Sequence, residues 1–297
     1  SYTRNGFGDI IREVSPDRGT TDYWYDAAGR LTRRLDAAGH DVLFTYDDGG
    51  RVLAEAYPNQ AGLNISFDYD DTTSGNMGIG RLTGISGAVV SSAYRYDVFG
   101  QLISQSDQIA SQVYTTEFEY SADGDLEQIT LPSGREVVYS SDSVGRVIGV
   151  SSRSGSGATL VPVVSSVAYA PYGPVIGYAL GNGSAVTFSL DSSYRLTGLS
   201  LSDGTSDVID KAYSYDANSR VVAITDALNS AASATYTYHD DGRLKRATGP
   251  WGDVEWDYDA VGNRITDKLY ISGVPADTET YSYGASDNRL MSISDDT

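Results

Sequence analysis

Few residues in this chain are of types that do covalent chemistry, and most of them sit in one recurring context. The sequence has no cysteine, so thiolate nucleophiles, disulfides and zinc–thiolate sites are ruled out and the redox compartment is left open. A hydroxyl nucleophile needs a base, and the only two histidines are His40, in AAGHD, and His239, in YHDDGRL. Carboxylates are plentiful, with 40 Asp and Glu, so an acid–base pair for glycoside hydrolysis is open on count alone. The doublets Asp47-Asp48, Asp70-Asp71, Asp240-Asp241 and Asp295-Asp296, with DGDLE at 123–127, offer oxygen ligands to calcium but match no EF-hand loop. Trp24, Trp251 and Trp256 are the candidates for stacking on a sugar ring.

Many of the aspartates belong to one repeated phrase: Tyr-Asp, two small or polar residues, then Gly-Arg and an aliphatic. Its first position falls at Arg4, Tyr25, Tyr46, Tyr69, Tyr96, Tyr120, Ser141, Tyr169, Leu190, Tyr215, Tyr238, Tyr258 and Tyr283, thirteen registers spaced by 20 to 28 residues. Asp follows at Asp26, Asp47, Asp70, Asp97, Asp142, Asp191, Asp216 and Asp259. Gly recurs at Gly29, Gly50, Gly100 and Gly262 among others, while Tyr194 and Ser219 replace it. Arginine follows directly as Arg30, Arg51, Arg81, Arg146 and Arg243, and in the same slot as Arg195 and Arg220. A residue repeated this often argues for a structural role over a unique catalytic one. The spacing suggests a ladder of Asp–Arg pairs between neighbouring units, and no catalytic, cofactor or metal site is expected.

Each unit reads as a β-hairpin. Alternating aromatic runs such as DYWYD, AYRYD, AYSYD and EWDYD lead into the phrase, and aliphatic alternation resumes after it in GRLTRRL, GRVIGVSS and SRVVAIT. The Asp can accept hydrogen bonds from amides two residues on, and the Gly supplies a positive φ for the reversal. Second turns appear at DAAGH, LPSGRE, LSDGTS and GPWGDV, giving two strands and two turns per unit. The Trp side chains are expected to continue a Tyr ladder on one sheet face. ALNSAASATY at 227–236 has room for a turn of helix at most.

About 26 strands spaced by roughly 4.8 Å would span on the order of 125 Å, too far for a flat sheet. The strip must curl into a shell, split into a sandwich or group into propeller blades, and the missing doubled period disfavours blades. The net charge of −19 argues against nucleic acid or an anionic membrane surface as a partner. No apolar run reaches the ~20 residues needed to span a bilayer, no leader opens the chain, and residues 1–297 read as one repeat region cut from a longer polypeptide.

The phrase, with variants such as YDAVGNRI, resembles the YD-repeat or Rhs-repeat family from RNGFGDI at 4–10 through DNRLMSI at 287–293. The resemblance implies an all-β strip wound into part of a hollow shell. In bacterial toxins of this family the shell encloses a toxic C-terminal polypeptide, and in teneurins it displays adhesion surfaces. It thus implies a secreted or cell-surface bacterial wall protein whose partner is a C-terminal toxin or effector. The alternatives are an adhesion or carbohydrate-binding module and, less favoured, a glycoside-active enzyme. The self-cleaving Asp-Pro segment of bacterial members has no counterpart here, since no Asp-Pro dipeptide occurs.

Overall fold

A computed structural model describes residues 1–284 and 288–295; Asp287 of the last register and Asp296 of the last doublet lie outside the described residues. Among the described residues there are 26 β-strands and three single 3-10 turns. The residues gather into two compact units, Ser1–Tyr139 with Ser152–Leu160, and Ser140–Ser151 with Val161–Thr297.

In the first unit, strands β1 (Tyr2–Arg4), β2 (Ile10–Ser15), β3 (Gly19–Tyr25), β4 (Leu31–Leu35), β5 (Asp41–Tyr46) and β6 (Val52–Ala56) pair in chain order, each antiparallel to the next. The same succession continues through β7 (Ile65–Tyr69), β8 (Leu82–Gly87), β9 (Val90–Tyr96), β10 (Leu102–Ile109), β11 (Gln112–Tyr120) and β12 (Leu126–Thr130). In the second unit twelve strands follow the same rule, from Val161–Tyr169 to Leu290–Asp295. Short local connections make this order the natural one for hairpin repeats.

Directly opposed residues share a face. In the first unit Phe44, Tyr46, Phe67, Tyr69, Tyr94 and Tyr96 fall on one side, and Thr45, Ser66, Asp68, Ala93 and Arg95 on the other. The aromatic side is half-buried and the small polar side is exposed. Very little is fully enclosed: the buried apolar residues are Val42, Ala170, Ala234, Ala247 and Tyr281. The accessible surface of 18075 Å² compares with about 12,000 Å² for a compact globular chain of this mass. Single-layer sheets leave both faces uncovered, which accounts for the excess.

One irregularity recurs at the same place in hairpin after hairpin. Trp24 pairs with Arg33, but Tyr25 pairs with Leu31, so the register slips by one residue just after the turn. Identical slips precede Tyr46, Tyr69, Tyr120, Tyr215, Tyr238, Tyr258 and Tyr283. A bulge bends its strand and increases local twist, so placing one at successive repeat turns gives those hairpins the same bias, while the intervening β2–β3 and β4–β5 hairpins keep an unbroken register.

Candidate functional site

The recurring constellation is built around the turn. Asp26 Oδ1 accepts from the backbone amides of Ala28 and Arg30, both at 2.9 Å, and the Gly29 amide donates to the Asp26 carbonyl at 3.0 Å. The second carboxylate oxygen takes the Arg30 Nε at 2.7 Å. The same pair closes the turns of Asp47 and Arg51, Asp142 and Arg146, Asp191 and Arg195, and Asp216 and Arg220, at 2.6 to 2.8 Å. At Asp97 the backbone bonds to Phe99 and Gln101 persist without an arginine, and at Asp259 the Asn263 amide stands in at 2.8 Å.

The carboxylates of Asp26, Asp47, Asp142, Asp191 and Asp216 are correspondingly acidified. Asp26 is held below the usual carboxylate range first by the Arg30 amide and then by its guanidinium. Asp70, gripped by the Arg51 side chain and the Gly80 amide, falls to about 2. Asp241 falls to about 2 beside the Arg243 side chain. Stabilising a carboxylate with two or three donors fixes it as an anion and spends its lone pairs, which leaves these aspartates poorly placed to act as general acids or bases.

The ladder expected between neighbouring units takes a different form. The Asp–Arg pair lies within one turn, because residues four apart across a tight reversal meet before the next strand can. In the first unit Arg51 also reaches across, through both Nη atoms, to Asp70 at 3.0 and 2.6 Å. What the arginines more generally carry across is a stacked guanidinium. Arg30 lies over Tyr46, Arg51 over Tyr69 and Arg81 over Tyr96, and in the second unit Arg146 over Tyr169, Arg195 over Tyr215, Arg220 over Tyr238 and Arg243 over Tyr258, at 4.5 to 5.6 Å from the ring centroids. The ring then donates its hydroxyl back: Tyr46 to the Leu31 carbonyl at 2.7 Å, Tyr69 to Val52 at 3.0 Å, Tyr215 to Leu196 at 2.7 Å. Each clasp therefore couples one turn to the next.

The candidate chemical residues are dispersed into this scaffold. His40 Nδ1 lies 2.8 Å from its own turn's Asp36, and His239 Nε2 lies 2.9 Å from the Trp256 carbonyl, with its ring edge-on to Tyr258. Strand alternation puts Trp24 on the face opposite Tyr23 and Tyr25, under the Arg33 guanidinium at 4.7 Å, which corrects the expectation of a single-face ladder. Trp251 sits in a turn against Tyr236, and Trp256, on the Tyr258 face, donates its indole N–H to Asp267 at 3.0 Å. In the second unit Trp251 and Trp256 thus have separate intramolecular partners. Among the described residues no three His, Asp or Glu side chains gather as a metal-binding group.

Sequence reasoning missed Asn76. The long loop of register four folds it to 2% exposure, where it accepts from the Tyr96 amide at 2.8 Å and donates to the Tyr94 carbonyl at 3.1 Å. The insertion of residues between Asp70 and Gly80 was the only sequence signal for it. Glu136, 5% exposed and paired with Arg153, was equally silent.

Residues 25–61 match the family model described as RHS Repeat. Over 202 residues, 67% of this chain, the sequence is 29% identical to Double-stranded DNA deaminase toxin A of Burkholderia cenocepacia, covering 12% of that protein. The fold matches a chain in the Photorhabdus luminescens Tc holotoxin pore with a TM-score of 0.83 at 20% identity, across 96% of this chain and 16% of that one. A crystal structure of TcdB2-TccC3 without its hypervariable C-terminal region gives 0.84 at 20% identity with the same coverage. The chain thus spans well under a fifth of the length of these relatives.

Proposed function

We propose that this chain, with its match to the RHS Repeat family model and its likeness to a Burkholderia toxin, is a YD- or Rhs-repeat wall: a strip that curls into part of a hollow shell and helps enclose a C-terminal toxin or effector carried by a longer polypeptide. The observation that carries this reading is the repeated clasp and bulge. A strip in which most repeat turns are locked to the next, and the repeat hairpins bend at the same residue, extends and curves by simple repetition. Its uncovered faces fit a role exercised by surface as a whole, with no catalytic constellation. Two of the matched proteins support the cargo: one is named as a toxin, and the other has a hypervariable C-terminal region. A secreted route follows from the same reading.

Limited proteolysis of the longer polypeptide tests it. The segment downstream of the repeats should resist cleavage while the wall is folded and become sensitive when urea opens the wall. Equal sensitivity in both states would remove the enclosing role.

A further inference from the structure

The first junction of the first unit departs from the clasp in an informative way. Tyr25 donates its hydroxyl to the Ile10 carbonyl at 2.9 Å, as Tyr46 does to Leu31, so the tyrosine half of the clasp is intact. The arginine slot, however, holds Asp9. Its carboxylate accepts 2.9 Å from the neutral Asn5 amide, and among the described residues no guanidinium lies over the Tyr25 ring. A carboxylate thus stands where the Arg30, Arg51 and Arg81 junctions place a cation.

The space left by this exchange is substantial. An open groove of about 800 Å³ is lined by Phe7, Asp9, Arg12, Tyr23, Tyr25 and Asp26, with Phe7 94% exposed and the Arg12 guanidinium already held by Asp22 at 2.9 Å. At the other arginine-less junction of this unit, the Gln101 side-chain amide reaches the Gly124 carbonyl at 3.1 Å, and a groove of about 480 Å³ lies beside Tyr120. Both of these grooves lie at junctions without the guanidinium, and the one at Tyr25 has a carboxylate in its place.

We propose that the Asp9–Tyr25 junction binds the guanidinium of an arginine side chain supplied by another polypeptide segment. The cation stacks on Tyr25 and pairs with Asp9, completing in trans the clasp that Arg30, Arg51 and Arg81 make in cis. The sibling junctions specify its remaining contact: Arg30, Arg220 and Arg243 donate from Nη1 to the carbonyls of Asp47, His239 and Asp259 at 3.1, 3.3 and 2.9 Å, so the Asp26 carbonyl is the matching acceptor. A planar guanidinium can stack and donate at once, which an ammonium does less well. The site is independent of the enclosing role, because it follows from the geometry of the turns.

The test is a titration of the full chain, labelled at tyrosine, with Nα-acetyl-arginine amide, followed by NMR of the Tyr25 ring. Saturable shifts at millimolar concentration are expected, with Nα-acetyl-lysine amide weaker by about threefold or more. Asp9→Arg supplies the guanidinium in cis and should abolish binding while moving the free Tyr25 signals toward those of the bound state. Asp9→Asn should weaken binding severalfold even if Asp9→Arg fails to fold. Absence of saturable shifts, equal binding of the lysine amide, or unchanged affinity in either variant would overturn the assignment.

Discussion

Arg30 and Tyr46 belong to different turns, yet the guanidinium carbon of one lies 4.9 Å from the ring centroid of the other, and Tyr46 returns a hydrogen bond to Leu31, the residue after Arg30. Local sequence therefore closes each turn, and one side chain carries the connection onward.

The coupling between these two residues should be measurable. A double-mutant cycle on Arg30→Ala and Tyr46→Leu is expected to give an interaction energy of about 0.5–1 kcal/mol. Amide hydrogen exchange should accelerate at both turns in the Arg30→Ala variant. Additive single-variant effects, with exchange changed at neither turn, would show that the stacking carries no coupling.

Backbone strain at the turn can be relieved or imposed. Ser219 and Tyr194 occupy the glycine slot at φ of 63° and 60°, where side chains are disfavoured. Ser219→Gly should stabilise the chain by about 1 kcal/mol, and Gly29→Ala, at φ 79° with nothing within 4 Å of the added carbon, should destabilise it by about 1–2 kcal/mol. Urea midpoints decide both.

The acidified turn carboxylates set a pH window. Their folded values lie below the ordinary 3.8, with Asp70 and Asp241 near about 2. Each depressed group contributes stability that is fully present above its unfolded value and is lost as pH falls through the folded one. The urea midpoint should hold steady from neutral pH to about 5, then decline between about pH 4 and 2. Asp70→Asn should lower the midpoint at neutral pH and flatten part of that decline; a midpoint that rises on acidification would contradict the account.

The buried loop residue has its own signature. Asn76→Ala leaves the Tyr96 amide and the Tyr94 carbonyl without their enclosed partner, and should cost about 2 kcal/mol. Exchange at the Tyr96 amide should accelerate, and protection equal to wild type would show that the loop is dispensable to β9.

The hairpins were legible because each carries its whole instruction locally: a period-two aromatic run, an Asp that caps the turn and a Gly that reverses it. The short helical turn allowed in ALNSAASATY also appears, as the 3-10 turn Ser230–Ala232 with Asn229 capping it. What the sequence did not disclose depends on register. Arg30 meets only its own turn's Asp26 whereas Arg51 meets both Asp47 and the following Asp70 beside an identical bulge, and no residue type marks that difference. Trp24 lies off the tyrosine face, as its odd-even position between Tyr23 and Tyr25 requires. Asn76 is buried by a loop whose path is set by β9, so nothing near it in sequence predicts its partners.

Small-angle X-ray scattering on the monomeric chain, with mass measured in line, tests the wall most directly. A compact globule of this length has a radius of gyration of roughly 19 Å. A curled single-layer strip predicts a clearly larger value and a distance distribution skewed toward a crescent or hollow form. A monomer at the compact value would contradict it.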